Sequence, residues 1–519
     1  MTQPHYLLKG TFLLTLAGLL TRTAGFFYKI FLSRTIGAKE IGLFQLTQPV
    51  YAFCMALAGG GVQTAISRFT AEYCAKKEPH LAYRILFGSL VLSEFAAVSC
   101  AVLLYRNAAW IAGRFLLEPE CAVLLRILAF SLPLCILHSC LSGFFIGQKK
   151  IAPSAISQMA EQLLRVTSAF FFYAALRKNG REMDASVMAL GQLAGEAAAA
   201  MYCIFYLMSA GGTPTKAKKR LSLNGIFHTM KKIMPVSVPL GVNRMLLCVL
   251  QGIEAAMLPQ RLQISGLTSH SALSSYGTLT GMALPLLLFP TAITGSLGTL
   301  LLPAVSEART LKQEAKIRLT VTSSFRGSTL LGCFFLTAFL LFGEDVGTLL
   351  FDSRLAGIYI RRLALICPWL YLNTAMSSIL HGLGKTTAVF VWNMIGFSIR
   401  FGAILYLVPQ IGINGYLCGM ILSQLFISVC TLFLLLHEQS LSVYVIGLLA
   451  KSSLVCIICV GTAVFLRRFL PFIRATTRTG LLLSLFFYSI SFLVLSFFLA
   501  LEQNERRQLR GRLAQKFRN

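Results

Sequence analysis

The chain reads as an all-α polytopic membrane protein of about fourteen transmembrane helices: two parallel six-helix lobes around a central cavity, followed by two C-terminal helices. Three observations lead there. Of its 519 residues, 56% are hydrophobic and only 13% are charged, with a mean hydropathy of +0.71, which fits no soluble class. Apolar stretches of about twenty residues, enough to cross a hydrocarbon core of about 30 Å, recur along nearly the whole chain. A register shift of about 235 residues lays marker residues of the first half on those of the second.

The spans run, to within several residues, over about 10–33, 43–67, 82–105, 122–146, 155–176, 186–208, 232–257, 278–301, 325–343, 358–381, 387–407, 413–436, 445–466 and 479–500. The first continues at full spanning length without an Ala-x-Ala site, so it is expected to be a retained helix and not a signal peptide. It carries Arg22 and, two turns on, Lys29. A mid-span charge costs roughly 2.5–3.5 kcal/mol, so such residues should face an internal polar cavity. A cationic stripe of this kind suits an anion, and a diphosphate in particular. The alternative is that both cations snorkel to the surfaces or pair with glutamates elsewhere. The second span holds Gln48-Pro49 and is interrupted at Gly59-Gly60-Gly61, a hinge or an ordinary kink.

The fourth span has His138, a lone histidine on an apolar helix that suggests packing before proton relay. Glu94 in the third span and Glu196 in the sixth are read the same way. On the fifth, Glu161 precedes Arg165 by one turn, the favourable order for an intrahelical pair, and the pair is read as mainly structural. The seventh carries Arg244 with Gln251 on the same face and Glu254 beyond it. Arg244 completes the expected cationic site; Glu254 either clamps a cationic side chain or binds Na⁺ or H⁺ for coupling. Pro285 and Pro290 interrupt the eighth span, and the eleventh holds Asn393, a candidate ion ligand, and Arg400. Arg400 has Gly396 where Arg165 has Glu161, which leaves it available to substrate.

The repeat superimposes Gly42 on Gly277, Glu72 on Glu307 and Arg165 on Arg400. Gly191/Gly195 and Gly415/Gly419 recur with the same internal spacing. Six helices return the chain to its starting side, so the copies are parallel. The expected organisation is an N-lobe at 1–210, a basic cytosolic linker at 211–231, a C-lobe at 232–437, helices 13 and 14 at 438–501, and a basic tail at 502–519.

A net charge of +28 would suggest nucleic acid in a soluble protein. Here the basic residues concentrate in the N-terminal segment, the even-numbered loops and the tail, which places both termini in the cytosol against anionic lipid. The tail cations Arg506, Arg507, Arg510, Arg512, Lys516 and Arg518 alternate with Leu509, Leu513 and Phe517, as in a helix lying on a membrane. Most of the fourteen cysteines fall in apolar spans, so Cys456 and Cys459 are expected to pack, not to bind metal. No nucleotide-binding GxxxxGK[ST] motif occurs, so no cofactor is expected and energy should come from an ion gradient, membrane potential or substrate gradient.

The run Leu16-Ala17-Gly18-Leu19-Leu20-Thr21-Arg22-Thr23-Ala24-Gly25-Phe26-Phe27-Tyr28-Lys29, with Ser33-Arg34-Thr35-Ile36-Gly37-Ala38, resembles the opening of one branch of the multidrug/oligosaccharidyl-lipid/polysaccharide exporters. This is the polysaccharide-transporter branch that holds the stage V sporulation protein B group and the lipid II flippases. Tyr276-Gly277-Thr278-Leu279-Thr280-Gly281-Met282-Ala283-Leu284-Pro285 and Pro303-Ala304-Val305-Ser306-Glu307 resemble it again. The resemblance implies a flippase for polyprenyl-diphosphate-linked oligosaccharide, such as a peptidoglycan precursor, in a bacterial cytoplasmic membrane or a forespore membrane, with wall-synthesis proteins as partners. It implies a diphosphate site using Arg22 and a lipid-tail groove on helices 13 and 14. Lys29 lies near a second cationic position without matching its spacing, and Gln48 stands where lipid II flippases place an arginine. Three rivals remain: an ion-coupled multidrug exporter, a polyprenyl-dependent glycosyltransferase, and a non-transporting scaffold of wall synthesis.

Overall fold

The computed structural model describes residues 4–178, 184–209, 223–439 and 478–496, with 454–455, 457–458, 460–461 and 464. Among them every regular element is a helix. Among the described residues, nine helices, or ten when one bent pair is taken as a single span, are long and apolar enough to cross a membrane. The chain packs as two compact units, Met1–Gly281 and Met282–Asn519.

The first unit holds α1 (Pro4–Thr35), α2 (Ala38–Gly59), α3 (Val62–Ala75), α4 (Pro79–Trp110), α5 (Cys121–Gly147), α6 (Ile151–Lys178), α7 (Ser186–Ser209), α8 (Leu223–Ile264) and α9 (Ser269–Gly277). The second apolar span is split into α2 and α3 at the triple glycine. A Cβ on Gly60 would lie 2.9 Å from Gly241 Cα, and one on Gly61 would collide with the Ser237 carbonyl, so only glycine lets α8 pass this close. Small residues do the same for α6 and α7. A Cβ on Gly195 would meet the Glu161 carbonyl at 2.7 Å, and one on Gly191 the Arg165 carbonyl at 3.0 Å. At the crossing of α2 and α9, Gly42 and Gly277 touch each other: a Cβ on Gly277 would lie 2.6 Å from Gly42 N. These are also the residues that the sequence repeat pairs.

Helix α8 begins at Leu223, inside the segment read as linker, and continues through Pro235, Pro239 and Pro259. It packs along α2, α3 and α4, and this is why the first packing unit extends past the linker to residue 281. Along one side of it Val238, Val242, Leu246 and Val249 are exposed.

The second unit contains α10 (Leu284–Leu288), α11 (Thr291–Thr310), α12 (Glu314–Phe351), α13 (Arg354–Leu363), α14 (Cys367–Gly382), α15 (Thr386–Tyr406), α16 (Val408–Ile411), α17 (Ile413–Gln439) and α18 (Arg478–Leu495). The eighth span is broken where its prolines stand: π-helical turns at Thr278–Ala283 precede α10, and the axis bends by 56° before α11. Gly415 packs against Leu407 and Gly419 against Ala403, repeating on α17 and α15 the glycine packing of α7 and α6. Helix α18 seats Tyr488 and Phe492 among Cys333, Ala338 and Phe342 of α12, and the Tyr488 hydroxyl donates to the Phe334 carbonyl at 2.9 Å. The linker residues 211–222, most of the thirteenth span with Cys456 and Cys459, and the tail 502–519 lie outside the described residues.

Candidate functional site

Within the first unit, α1, α2, α6 and α7 enclose a cavity of about 390 Å³. Its polar lining is Tyr28 and Lys29 from α1, Gln45 and Gln48 from α2, Gln162 and Arg165 from α6, and Gln192 from α7. Gly25 also belongs to the lining, and a Cβ there would lie 3.3 Å from Gln162 Nε2. The Gln48 amide donates to Gln192 Oε1 at 3.4 Å. Two cations and four amides converge, and no carboxylate lines the space. Tyr28 OH and Arg165 Nε are buried without a hydrogen-bond partner among the described residues.

Behind this wall lies a cluster of charges. Arg165 Nη2 donates to Glu161 Oε1 across one helical turn, as the sequence spacing predicts, and lies 3.9 Å from Glu196 Oε1 on α7. His138 on α5 faces both acids, its Nδ1 3.9 Å from Glu161 Oε2 and from Glu196 Oε2. Arg165 therefore serves two neighbourhoods, the carboxylates on one side and the cavity on the other. His138, Glu161 and Glu196 offer three ligand atoms within 4.8 Å of one another.

The other sequence candidates are dispersed. Arg22 is exposed on α1, two turns from Lys29 and outside the lining of this cavity. On α8, Arg244 and Gln251 are exposed and Glu254 is buried. In the second unit, Arg400 is half-buried on α15 with its guanidinium 5.6 Å from the centre of the Phe397 ring, a cation–π contact. Asn393, exposed on the same helix, donates its amide to the Val389 carbonyl at 2.7 Å. Sequence reasoning missed Tyr28, Gln45, Gln162 and Gln192 as cavity residues and the meeting of His138 with Glu196. The helical positions of the glutamines relative to Lys29 and Arg165 were the available signal.

Known proteins share this architecture. The chain is 27% identical over 438 residues to stage V sporulation protein B of Bacillus subtilis (strain 168), covering 84% of this chain and 83% of that one. Its fold matches lipid II flippase MurJ in an inward closed conformation, with a TM-score of 0.70 at 13% identity over 93% of this chain and 98% of that one. It also matches an inward-facing multidrug resistance MATE transporter of the MOP superfamily, with a TM-score of 0.66 at 13% identity over 81% and 94%. Residues 7–309 match the family described as polysaccharide biosynthesis protein. That match takes in more than half of the chain, which therefore belongs to the polysaccharide biosynthesis protein family and is a multi-helix membrane protein of the MOP transporter fold.

Proposed function

We propose that this protein flips a polyprenyl-diphosphate-linked oligosaccharide, a peptidoglycan precursor such as lipid II, across the bacterial cytoplasmic membrane by alternating access. The observation that carries the reading is the cavity lining: Lys29, Arg165 and four glutamine amides with no carboxylate among them. A diphosphate is a dense acceptor of charge-assisted hydrogen bonds, and a sugar is served by the surrounding glutamine amides. The same lining disfavours a cationic drug, which needs an acidic or aromatic pocket. Membership in a polysaccharide family and likeness to a lipid II flippase support the substrate class.

In this reading Arg22 and Lys29 form successive stations for the diphosphate along α1, and Arg244 and Arg400 contribute from the C-lobe. Glu254, Gln251 and Asn393 serve ion coupling, with Na⁺ or H⁺ as the coupling ion. Both termini are cytosolic, helices 13 and 14 hold the lipid tail, and a sporulating cell would place the protein in its forespore membrane.

The test is flipping of fluorescent undecaprenyl-diphosphate-linked disaccharide-pentapeptide by purified protein in liposomes. A hydrogen bond to a charged group contributes roughly 1.5–3 kcal/mol, so Lys29→Ala and Arg22→Ala should each slow transport about tenfold or more. Wild-type rates in both variants, with normal folding, would remove the diphosphate site from this account.

A further inference from the structure

Helices α1 and α6 frame a second space, a groove of about 520 Å³ that shares a wall with the polar cavity. It follows one stripe of each helix, from Leu20 to Tyr28 on α1 and from Met159 to Phe170 on α6. At a rise of 1.5 Å per residue these stripes run about 12–16 Å, roughly half the thickness of a hydrocarbon core. The lining is almost wholly apolar. Thr21 Oγ1 donates to the Gly18 carbonyl at 3.1 Å and Thr167 Oγ1 to the Leu163 carbonyl at 3.0 Å, so both hydroxyls spend their one proton on their own helices. Rings stop one end: Phe31 stacks on Phe170 with 3.9 Å between centroids and meets Tyr173 edge-on at 5.3 Å. Along its flank Leu20, Phe27 and Leu163 are exposed.

The groove meets the cavity at two side chains, Tyr28 and Gln162, which line both. Opposite Gln162, α1 presents Gly25, where a Cβ would lie 3.3 Å from Gln162 Nε2. At that level the partition is a flexible amide and one phenol ring. We infer that the α1–α6 groove is a chain site: it receives the first isoprene units of the lipid whose diphosphate occupies the cavity, with the chain passing between Gln162 and Tyr28.

Continuity with the cavity decides the occupant. Hydrocarbon gains little on leaving a bilayer for an apolar groove, since both are dry. An untethered chain therefore exchanges freely, whereas a chain joined to a head group held next door is kept at high local concentration. A phospholipid keeps its head at the membrane surface, and its chain, coming from the C-terminal end of α6, meets the ring stack before the groove. A polyprenyl diphosphate reverses that order: its head lies beside Lys29 and Arg165, and its chain leads away from the rings towards Leu20 and Met159. A chain as long as undecaprenyl outruns the groove, which leaves its distal part to other surfaces, helices 13 and 14 among them.

This chain site presupposes the proposed substrate, so the experiment reads head and chain separately, with the full chain in phosphatidylglycerol nanodiscs. In one arm, photoreactive benzoylphenylalanine is placed at Leu163 in the groove or at Phe171, exposed on α6 outside the lining. Radiolabelled undecaprenyl-diphosphate-linked disaccharide should label the first position several-fold more than the second, and unlabelled undecaprenyl diphosphate should displace it. Equal labelling overturns the chain site, as does displacement by added phosphatidylglycerol, which would make the groove an ordinary contact for membrane lipid. In the other arm, Ala24→Phe fills the groove from an exposed position on its wall. It should weaken undecaprenyl diphosphate about tenfold while leaving citronellyl diphosphate, whose chain is too short to follow the groove, within about twofold. Thr167→Phe, also exposed, serves should Ala24→Phe fold poorly. Equal loss of both ligands, or loss of neither, overturns the assignment. Wild type that binds citronellyl diphosphate but gives no label at Leu163 sinks the chain site and leaves the diphosphate reading standing; wild type that binds neither diphosphate sinks both.

Discussion

Glu118 lies in the turn between α4 and α5, where its Oε1 accepts from Ser269 Oγ at 3.0 Å and ties that turn to the start of α9. Partial burial pushes its carboxyl above the ordinary range, and the Ser269 hydrogen bond only partly offsets this. Between the ordinary value and the raised one, the native chain therefore holds a proton that the unfolded chain has released. Stability from this residue is greatest at low pH and falls as pH rises through the raised value. Glu118→Gln should flatten that fall: across about pH 4 to 7, its thermal midpoint in detergent should decline less than that of wild type. Parallel curves would show that Glu118 does not titrate in this window. At this scale the sequence was partly readable. The pair Glu161–Arg165 could be read because its partners are one turn apart on one helix, where geometry is local. The meeting of His138 with Glu196 could not be, since it depends on how α5, α6 and α7 rotate against each other. The stripe of Arg22 and Lys29 is real as a spacing, yet two turns of rise place only Lys29 in the cavity lining.

Helix interruptions were legible because their causes are chemical and local. The triple glycine parts α2 from α3, and Pro285 with Pro290 stand where the eighth span bends. Helix α8 was less so: the basic segment before it masks its start, and three prolines inside it would ordinarily argue for an end. The glycines at helix contacts carry a sharp expectation. Since a Cβ on Gly277 would lie 2.6 Å from Gly42 N, with backbone on both sides, Gly277→Ala must push α2 and α9 apart. The expected cost is about 1–3 kcal/mol, as for overpacking elsewhere. Gly327→Ala, on α12 with nothing within 4 Å of its Cβ, should be neutral to about 1 kcal/mol more stable, since alanine suits a helix interior better than glycine. Thermal unfolding of both variants in detergent checks the contrast, and equal midpoints would refute a tight crossing.

For the molecule as a whole, composition alone specified the class, because a bilayer demands long apolar helices and penalises every unpaired backbone group. Orientation follows from a different force, the distribution of Lys and Arg, and it makes its own prediction. Alkaline phosphatase, which needs oxidising conditions for its disulfides, should be inactive when fused to either end of the chain in a bacterial host. It should be active when inserted after the third or fifth span. Activity at the C-terminus would mean an odd number of crossings or a reversed orientation.

The crossing of Gly42 and Gly277 has a mechanical consequence. Most helix contacts mesh side chains like teeth, so sliding requires rotamers to unlock together. Two bare backbones have no teeth. Contact there resists separation, through close van der Waals attraction, while offering little friction to small rotation or slip. Under the proposed alternating access, the helices would remain in touch throughout a stroke, and the barrier to that stroke would be set elsewhere, by interlocked side chains.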